Sequence, residues 1–438
     1  MKWPYSMNRW LCILLASAFS VSVAQAQRYS KRKIRNDLQE LPGLENAFIG
    51  FLLVDPSKEK PIFEQYADKY MTPGSTTKLF SVFGAMEYLP DTLPALEYVI
   101  HGDSLIFWST GYPLTLHPDH PDSTVMNFLK TTDKKLFYWP RPMEDSRFGP
   151  GWGWDDYPYY YGAEKSVFPI YGNSIQFILD NKNKTYRMSP EYQGFQVFVD
   201  SLNARRSQVK RDEFWNEFNV DFADTDKVDT LVRSFHSSNA LFTELLSQVV
   251  GQSIGIIEKN SRPESFLSLQ GVVADSLYKW TLQDSDNLFA EQIMLMISGQ
   301  QSDTLSTEKG IGQIQATWQF QSNSPFPNKL TWRDGSGLSR YNMFKPSEFQ
   351  NLLTLFEMDE LIPLLPQGSI SGTLKDWYGP YVYAKTGTLS NNHALVGYIQ
   401  ADSGKLLQFV LIANHYTEST STIRKSMGVI LEKVKKGY

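Results

Sequence analysis

The residues Thr72-Pro73-Gly74-Ser75-Thr76-Thr77-Lys78, running on through LFSVFGAMEYL to Leu89, decide how this chain reads. Thr72-Pro73-Gly74 breaks the backbone, and Pro90 closes the segment. From Ser75 onward Leu79, Phe80, Val82, Phe83, Met86 and Leu89 set apolar side chains nearly all round a helix, which marks that helix as buried. A serine opening such a helix has a backbone N–H with no intrahelical partner, free to serve an oxyanion. Lys78 stands three positions on, and i and i+3 share one helix face. A serine hydroxyl is a poor nucleophile until a base takes its proton. Lysine serves as that base only when neutral, which needs desolvation or a cationic neighbour. The plain alternative is an N-cap serine with a snorkelling lysine.

Spacing alone does not select Ser75, because Ser30–Lys33, Ser57–Lys60, Ser207–Lys210, Ser276–Lys279 and Ser306–Lys309 also fit S-x-x-K. Ser75 alone follows a Pro-Gly break and opens a buried helix. Two further strings complete a set. Lys385-Thr386-Gly387 is the one K-[ST]-G in the chain. It offers a cationic head near Lys78 and a strand along which a substrate backbone can lie; alone it equally fits a strand ending at a turn. Ser285-Asp286-Asn287 supplies S-x-N, a pattern that Ser201–Asn203, Ser237–Asn239 and Ser390–Asn392 also match. Ser285 is preferred because its acidic segment runs straight into a strong helix at Leu288, which Ser285 or Asp286 would cap.

The chain has 438 residues, 42% hydrophobic and 20% charged, a globular composition too long for one core, so two or more domains are expected. Met1–Ala26 reads as a secretory signal, with Lys2 and Arg9 at its basic end, an apolar Leu11–Val23, and Ala24-Gln25-Ala26 as a small-x-small cleavage site. The alternative is an uncleaved membrane anchor, although the apolar run is short for a span. The single cysteine, Cys12, lies inside this leader, so disulfides, thiol catalysis and cysteine-held metal are excluded from the mature protein. Two of the 42 basic residues and none of the 47 acidic ones fall in the leader, which leaves a net charge of −7. That balance argues against nucleic acid as a partner. Six scattered histidines show no metal-binding spacing, and no cofactor is expected.

Along the chain, Gln27–Arg35 reads as a polar, basic, frayed start. Phe48–Val54 reads as a strand closed by Asp55-Pro56. Residues 110–264 are turn-rich and hold the aromatic island Phe148–Tyr161, together with a hairpin signal in which Ile175–Leu179 and Tyr186–Met188 flank Asp180–Lys184; they read as a β-rich insertion. It divides a first part, residues 27–109, from a second, 265–438. The second part carries helical patterns at Phe289–Ile297 and Pro346–Phe356, strands at Val382–Leu389, His393–Gln400 and Leu406–Asn414, and a closing helix over Ser419–Lys436.

S-x-x-K, S-x-N and K-T-G in this order form the signature of active-site-serine enzymes that act on D-alanyl peptides or penicillins. The chain resembles the penicillin-binding protein 4 type of D-alanyl-D-alanine carboxypeptidase and endopeptidase, the low-molecular-mass class C penicillin-binding proteins. Further strings carry that resemblance: Asp334-Gly335-Ser336-Gly337-Leu338-Ser339-Arg340 with Asn342; Gly372-Thr373-Leu374 before Ala384–Leu389; Ala290-Glu291 after Asp286-Asn287-Leu288; and Gly151-Trp152-Gly153-Trp154-Asp155-Asp156. The long gap from Ser75 to Ser285 suits that family's inserted domains. The resemblance implies an α+β fold, a β-lactamase/transpeptidase-like domain whose antiparallel sheet is flanked by helices, with a β-rich inserted domain. It implies Ser75 as the acylated nucleophile, Lys78 as its base, Ser285 as proton shuttle and Asn287 as orienting residue. Lys385, with Thr386 and Gly387 beside it, would hold the substrate carboxylate, and the N–H groups of Ser75 and Thr388 would form the oxyanion hole. Asp156 and Arg340, with Tyr161 alongside, would grip a diaminopimelate side chain. The implied partners are peptidoglycan stem peptides, with β-lactams as covalent inhibitors, in the periplasm and with peripheral membrane contact open. Two other functions share parts of this pattern, a β-lactamase and a catalytically silent peptidoglycan-binding protein. No E-x-x-L-N string lies between Ser285 and Lys385 to supply the deacylation base of the former.

Overall fold

The computed structural model describes residues 29–258, 261–320, 325–326 and 329–438. The signal reading of Met1–Ala26, and Cys12 with it, lies outside the described residues.

Five antiparallel strands form the central sheet, in the spatial order Val382–Leu389, Asn392–Gln400, Leu406–Asn414, Phe48–Val54, Phe63–Gln65. Its inner strands are near-continuous apolar runs, such as LLQFVLIAN, because both faces of the sheet are covered. Side chains alternate between the faces with period two. Phe51, Leu53, Leu395 and Leu411 pack on one side against Ile34, Leu38, Ile423 and Ile430, which project from the helices Lys31–Glu40 and Thr420–Gly437. Leu52, Val396, Val410 and Ile412 face the other side, in the core that also takes Phe80, Ile293 and Phe349 from the helices Lys78–Tyr88, Asn287–Gln301 and Pro346–Leu355. Phe80 stacks on Phe344 at 4.5 Å and tilts against Phe349 at 5.2 Å. Burying one such ring contributes roughly 1.5–3 kcal/mol, so the serine helix is fixed from within.

Residues 29–35 depart from the reading of a frayed segment. Ser30 caps a helix over Lys31–Glu40, and Ile34 and Leu38 are buried against the sheet. Its KRKIRNDLQE sequence hides a two-residue apolar stripe at i and i+4 among charges. The closing helix is capped by Ser419, which accepts from Thr422 N, and it carries Lys435 and Lys436 in its last turn.

The additional β-rich part holds three sheets. One is a five-stranded mixed sheet in the order Ile254–Ile256, Lys135–Tyr138, Ser104–Ser109, Thr92–His101, Leu267–Val273. Two three-stranded sheets join Gln196–Ala204, Glu217–Ala223 and Gln208–Arg211, and Val228–Ser234, Ser174–Asp180 and Thr185–Ser189. The five-stranded sheet begins before residue 110 and ends after residue 264, so it crosses both positions at which the sequence reading divides the chain. Two helices, Thr124–Thr131 and Asn239–Val250, lie within the same span. Among the described residues no helix is long and apolar enough to cross a membrane.

Candidate active site

Ser75 lies in a single 3-10 turn, Gly74–Thr77, that runs into the helix Lys78–Tyr88. Residues three apart eclipse in a 3-10 turn. Lys78 therefore rises directly beside the serine, and its Nζ donates to Ser75 Oγ at 3.1 Å. Ser75 is not a capping residue: Pro73 holds the N-cap position, with no side-chain cap bond. Nor does Lys78 snorkel, since it is fully buried.

Two glycines let the edge strand meet the serine. A Cβ on Gly387 would stand 2.1 Å from Pro73 O and 3.0 Å from Ser75 N. Gly74, at φ +55°, would bring a Cβ to 2.9 Å from Thr388 N. The backbone N–H groups of Ser75 and Thr388 are thus drawn together across this seam. Val382–Leu389 is the outermost strand of its sheet. Gln367 bridges its outer side at Tyr383, and Ala384 N reaches Pro366 O. Beyond Ala384, among the described residues, no strand covers that side.

Lys78 has two further acceptors, Asn287 Oδ1 at 2.6 Å and Ser336 O at 2.7 Å. Asn287 is the first residue of its helix, capped by Asp286, which accepts from Phe289 N at 2.9 Å. The other end of the Asn287 amide donates to Tyr161 O at 2.8 Å. Ser285, at φ +60°, turns its hydroxyl to Lys385, whose Nζ donates at 2.8 Å to Ser285 Oγ and at 3.0 Å to Thr386 O. Thr386 Oγ1 meets Thr373 Oγ1 at 2.8 Å, and Thr388 Oγ1 meets His393 Nδ1 at 2.8 Å. Burial, aided by Arg424, pushes the His393 imidazole down to about 3. It is neutral at physiological pH.

Burial lowers Lys78 from the ordinary lysine value to about 8, against the pull of Asp286, Asp334 and Glu291. Burial and the charge of Lys78 push Lys385 well down, against Asp284. Two buried ammonium groups in one site repel, so one proton leaves this pair far more readily than it leaves an isolated lysine.

The similar string Ser237–Asn239 lies elsewhere. Ser238 caps the helix Asn239–Val250, and Ser237 N donates to Glu164. That string lines a cavity of about 540 Å³ in the inserted part that none of the residues around Ser75 borders.

Asp334 is the residue whose role the sequence did not disclose. It is fully buried and accepts from Trp152 Nε1 at 2.8 Å, Gly337 N at 2.9 Å, Ser339 N at 2.6 Å and Asn342 Nδ2 at 2.6 Å. This knot fixes the loop that turns the Ser336 carbonyl onto Lys78. It also ties that loop to the aromatic island, where Arg340 N reaches Gly151 O. Asp156 and Tyr161 stand on the island. Tyr161 donates to Asp156 Oδ1 at 3.0 Å, and burial raises the Asp156 carboxyl, although Tyr161 and Arg340 oppose the shift. Arg340 is exposed, and among the described residues it makes no ion pair with Asp156. Among the described residues no group of three or more His, Cys, Asp or Glu is arranged to hold a metal ion.

The fold and the site together define a transpeptidase-like domain carrying a serine–lysine centre, completed by a second serine and a second lysine. The chain belongs to the D-Ala-D-Ala carboxypeptidase 3 (S13) family, whose profile matches residues 141–434, and it is a hydrolase of that class. It is 23% identical over 457 aligned positions to the D-alanyl-D-alanine carboxypeptidase DacB of Haemophilus influenzae, covering 92% of this chain and 91% of that one. It is 27% identical over 174 residues to the carboxypeptidase DacB of Mycolicibacterium smegmatis, spanning 34% of this chain and 35% of that protein. In structure it is similar to penicillin binding protein 4 of H. influenzae, with a TM-score of 0.74 at 20% identity over 92% of this chain and 97% of that one. The complex of that protein with a β-lactam gives 0.67.

Proposed function

We propose that this chain is a serine-type D-Ala-D-Ala carboxypeptidase that works on peptidoglycan stem peptides through an acyl-enzyme on Ser75, and that it also opens D-Ala–diaminopimelate cross-links. The observation that carries this reading is the 3.1 Å contact between Lys78 Nζ and Ser75 Oγ inside a buried site that also holds Lys385. Neutral Lys78 takes the Ser75 proton as Oγ attacks the carbonyl of the penultimate D-alanine. The developing oxyanion falls to the N–H groups of Ser75 and Thr388, fixed donors that need no reorganisation. The C–N bond to the terminal D-alanine breaks, and its nitrogen receives the proton through Ser285. Water then hydrolyses the ester. Asn287 orients Lys78, and Lys385 with Thr386 receives the terminal carboxylate. The open edge beyond Ala384 accepts the peptide backbone as an added strand, passing Gly387. Asp156, Tyr161 and Arg340 bracket the diaminopimelate side chain, whose ammonium and carboxylate need opposite charges. β-lactams acylate the same serine. We take the inserted unit as residues 92–273, the span of its five-stranded sheet, and we place the protein in the periplasm after removal of its signal.

The test is digestion of a pentapeptide and of a cross-linked muropeptide dimer, read by mass. D-alanine release and dimer cleavage are expected, and both vanish in Ser75→Ala. Covalent labelling by penicillin that survives Ser75→Ala would refute the nucleophile.

A further inference from the structure

Glu291 stands one turn beyond Asn287 on the same helix face, and it is fully buried. Its Oε1 accepts from Ser336 N at 2.8 Å, while the carbonyl of that same residue accepts from Lys78 Nζ at 2.7 Å. Ser336 is thus a backbone bridge between a buried acid and the proposed base. The bridge has little play. A Cβ on Gly335 would meet Ala290 O at 2.3 Å, so the loop lies directly on the turn that carries Glu291, and Ser81 Oγ holds Gly335 O at 2.6 Å. Among the described residues Glu291 Oε2 is buried with no hydrogen-bond partner. A buried acid contributes less to stability than a well-packed apolar side chain would, so stability does not account for it. The charged groups facing Glu291 and Lys78 are Asp286 at the start of the Glu291 helix, Asp334 in the loop, Lys385 on the edge strand and Lys165 from the inserted part, itself paired with Asp145 at 2.6 Å. Burial and Asp334 push the Glu291 carboxyl up to about 7, against Lys165 and the Ser336 bond.

We propose that Glu291 is a positioning residue for acylation of Ser75: it holds the Ser336 carbonyl against Lys78, and its charge sets how firmly Lys78 keeps its proton. This rests on the reading of Ser75 and Lys78 above. Ionised Glu291 adds an anion that favours the ammonium. Neutral Glu291 removes it and frees the base at lower pH.

The experiment is the rate of covalent labelling by a fluorescent penicillin across pH, for the wild type, Glu291→Gln, Glu291→Asp and Ser75→Ala, with thermal unfolding recorded for each. Glutamine keeps an acceptor for Ser336 N but no charge. The rising limb of its profile moves down by about half a pH unit, so it labels up to about twofold faster than wild type between about 7 and 8, where wild-type Glu291 is ionised, and at the wild-type rate well below 7, where wild-type Glu291 is itself neutral, with a similar plateau. Aspartate keeps the charge but falls short of Ser336, so its limb stays in place and its plateau drops about tenfold. A Gln variant whose limb coincides with that of the wild type, or an Asp variant with the wild-type plateau, overturns the proposal. Labelling that persists in Ser75→Ala instead overturns the reading of the nucleophile, and with it this role.

Discussion

Lys385 donates to Ser285 Oγ at 2.8 Å across a sequence separation of 100 residues, and Ser285 meets it from a left-handed backbone at φ +60°. A non-glycine residue there is strained by about 1–3 kcal/mol. The strain persists because the two residues that follow are fixed: Asp286 caps a helix, and Asn287 is held between Lys78 and Tyr161. Ser285→Ala keeps this backbone and removes only the hydroxyl. The buried Lys385 then loses one of its two acceptors, at a cost of about 1–2 kcal/mol. Loss of a proton shuttle costs far more in turnover, roughly 10²–10⁴-fold. Measured side by side, chemical unfolding and kcat on a pentapeptide should show a modest change in the first and a collapse in the second.

Gly387→Ala tests the seam between strand and serine. The new Cβ would lie 2.1 Å from the Pro73 carbonyl and 2.9 Å from Thr76 N, both backbone atoms that cannot swing aside. The edge strand must retreat, which costs about 1–3 kcal/mol and pulls Thr388 N away from Ser75. Labelling by penicillin should fall at least about a hundredfold, as expected when an oxyanion donor is displaced. A variant that labels at the wild-type rate would show that the close approach is unneeded.

The pH dependence has a definite sign. Lys78 is lowered from 10.5 to about 8 by burial, so the folded chain releases that proton before the unfolded chain does. Acylation should therefore rise with pH through a limb near 8 and be suppressed on its acid side. The unfolded chain holds more protons between about 8 and 10.5, so the free energy of unfolding rises across that window, and the burial penalty is fully present below it. Lys385 is lowered in the same direction and adds to the slope. Lys78→Met removes the contribution of Lys78, so the slope of wild type minus variant, taken from urea unfolding at several pH values, should be positive in that window. A flat difference would mean that the ammonium is not disfavoured in the folded protein.

Much of this arrangement could be read from the sequence because side-chain chemistry and helix context carry it. Lys78 three residues after Ser75, and Asn287 opening a strong apolar helix, are patterns in residue identity. The Ser336 carbonyl is not, since every residue offers the same backbone acceptor and only the Asp334 knot aims this one. Asp334 itself lies in a quoted string, yet four converging N–H donors, three of them from its own loop, leave no periodic trace. The helix Lys31–Glu40 leaves little trace in the sequence because Ile34 and Leu38 are its only buried residues amid charges. In the inserted part, strands such as Thr92–His101 pair with Leu267–Val273 from its far end. Long-range pairing of that kind has no local signal, so the extent of the sheet lay beyond a reading of turns and composition.

Asp156 and Arg340 give the sharpest test of substrate choice. Arg340 acts on the Asp156 carboxyl only at a distance, and burial keeps that carboxyl raised. Opposite charges that do not pair with each other suit a ligand with both signs. Arg340→Ala should raise KM for a diaminopimelate pentapeptide about 10–100-fold, the value of a charge-assisted contact of about 1.5–3 kcal/mol. It should leave KM for the lysine-containing pentapeptide unchanged, because that side chain lacks the second carboxylate. Asp156→Asn should weaken both peptides, since both carry the ammonium. Neither change should alter labelling by a penicillin, which has no such side chain. If Arg340→Ala slows penicillin labelling as much as it weakens the diaminopimelate peptide, then Arg340 supports the loop that carries Ser336, and the grip on the side chain must be sought elsewhere on the aromatic island.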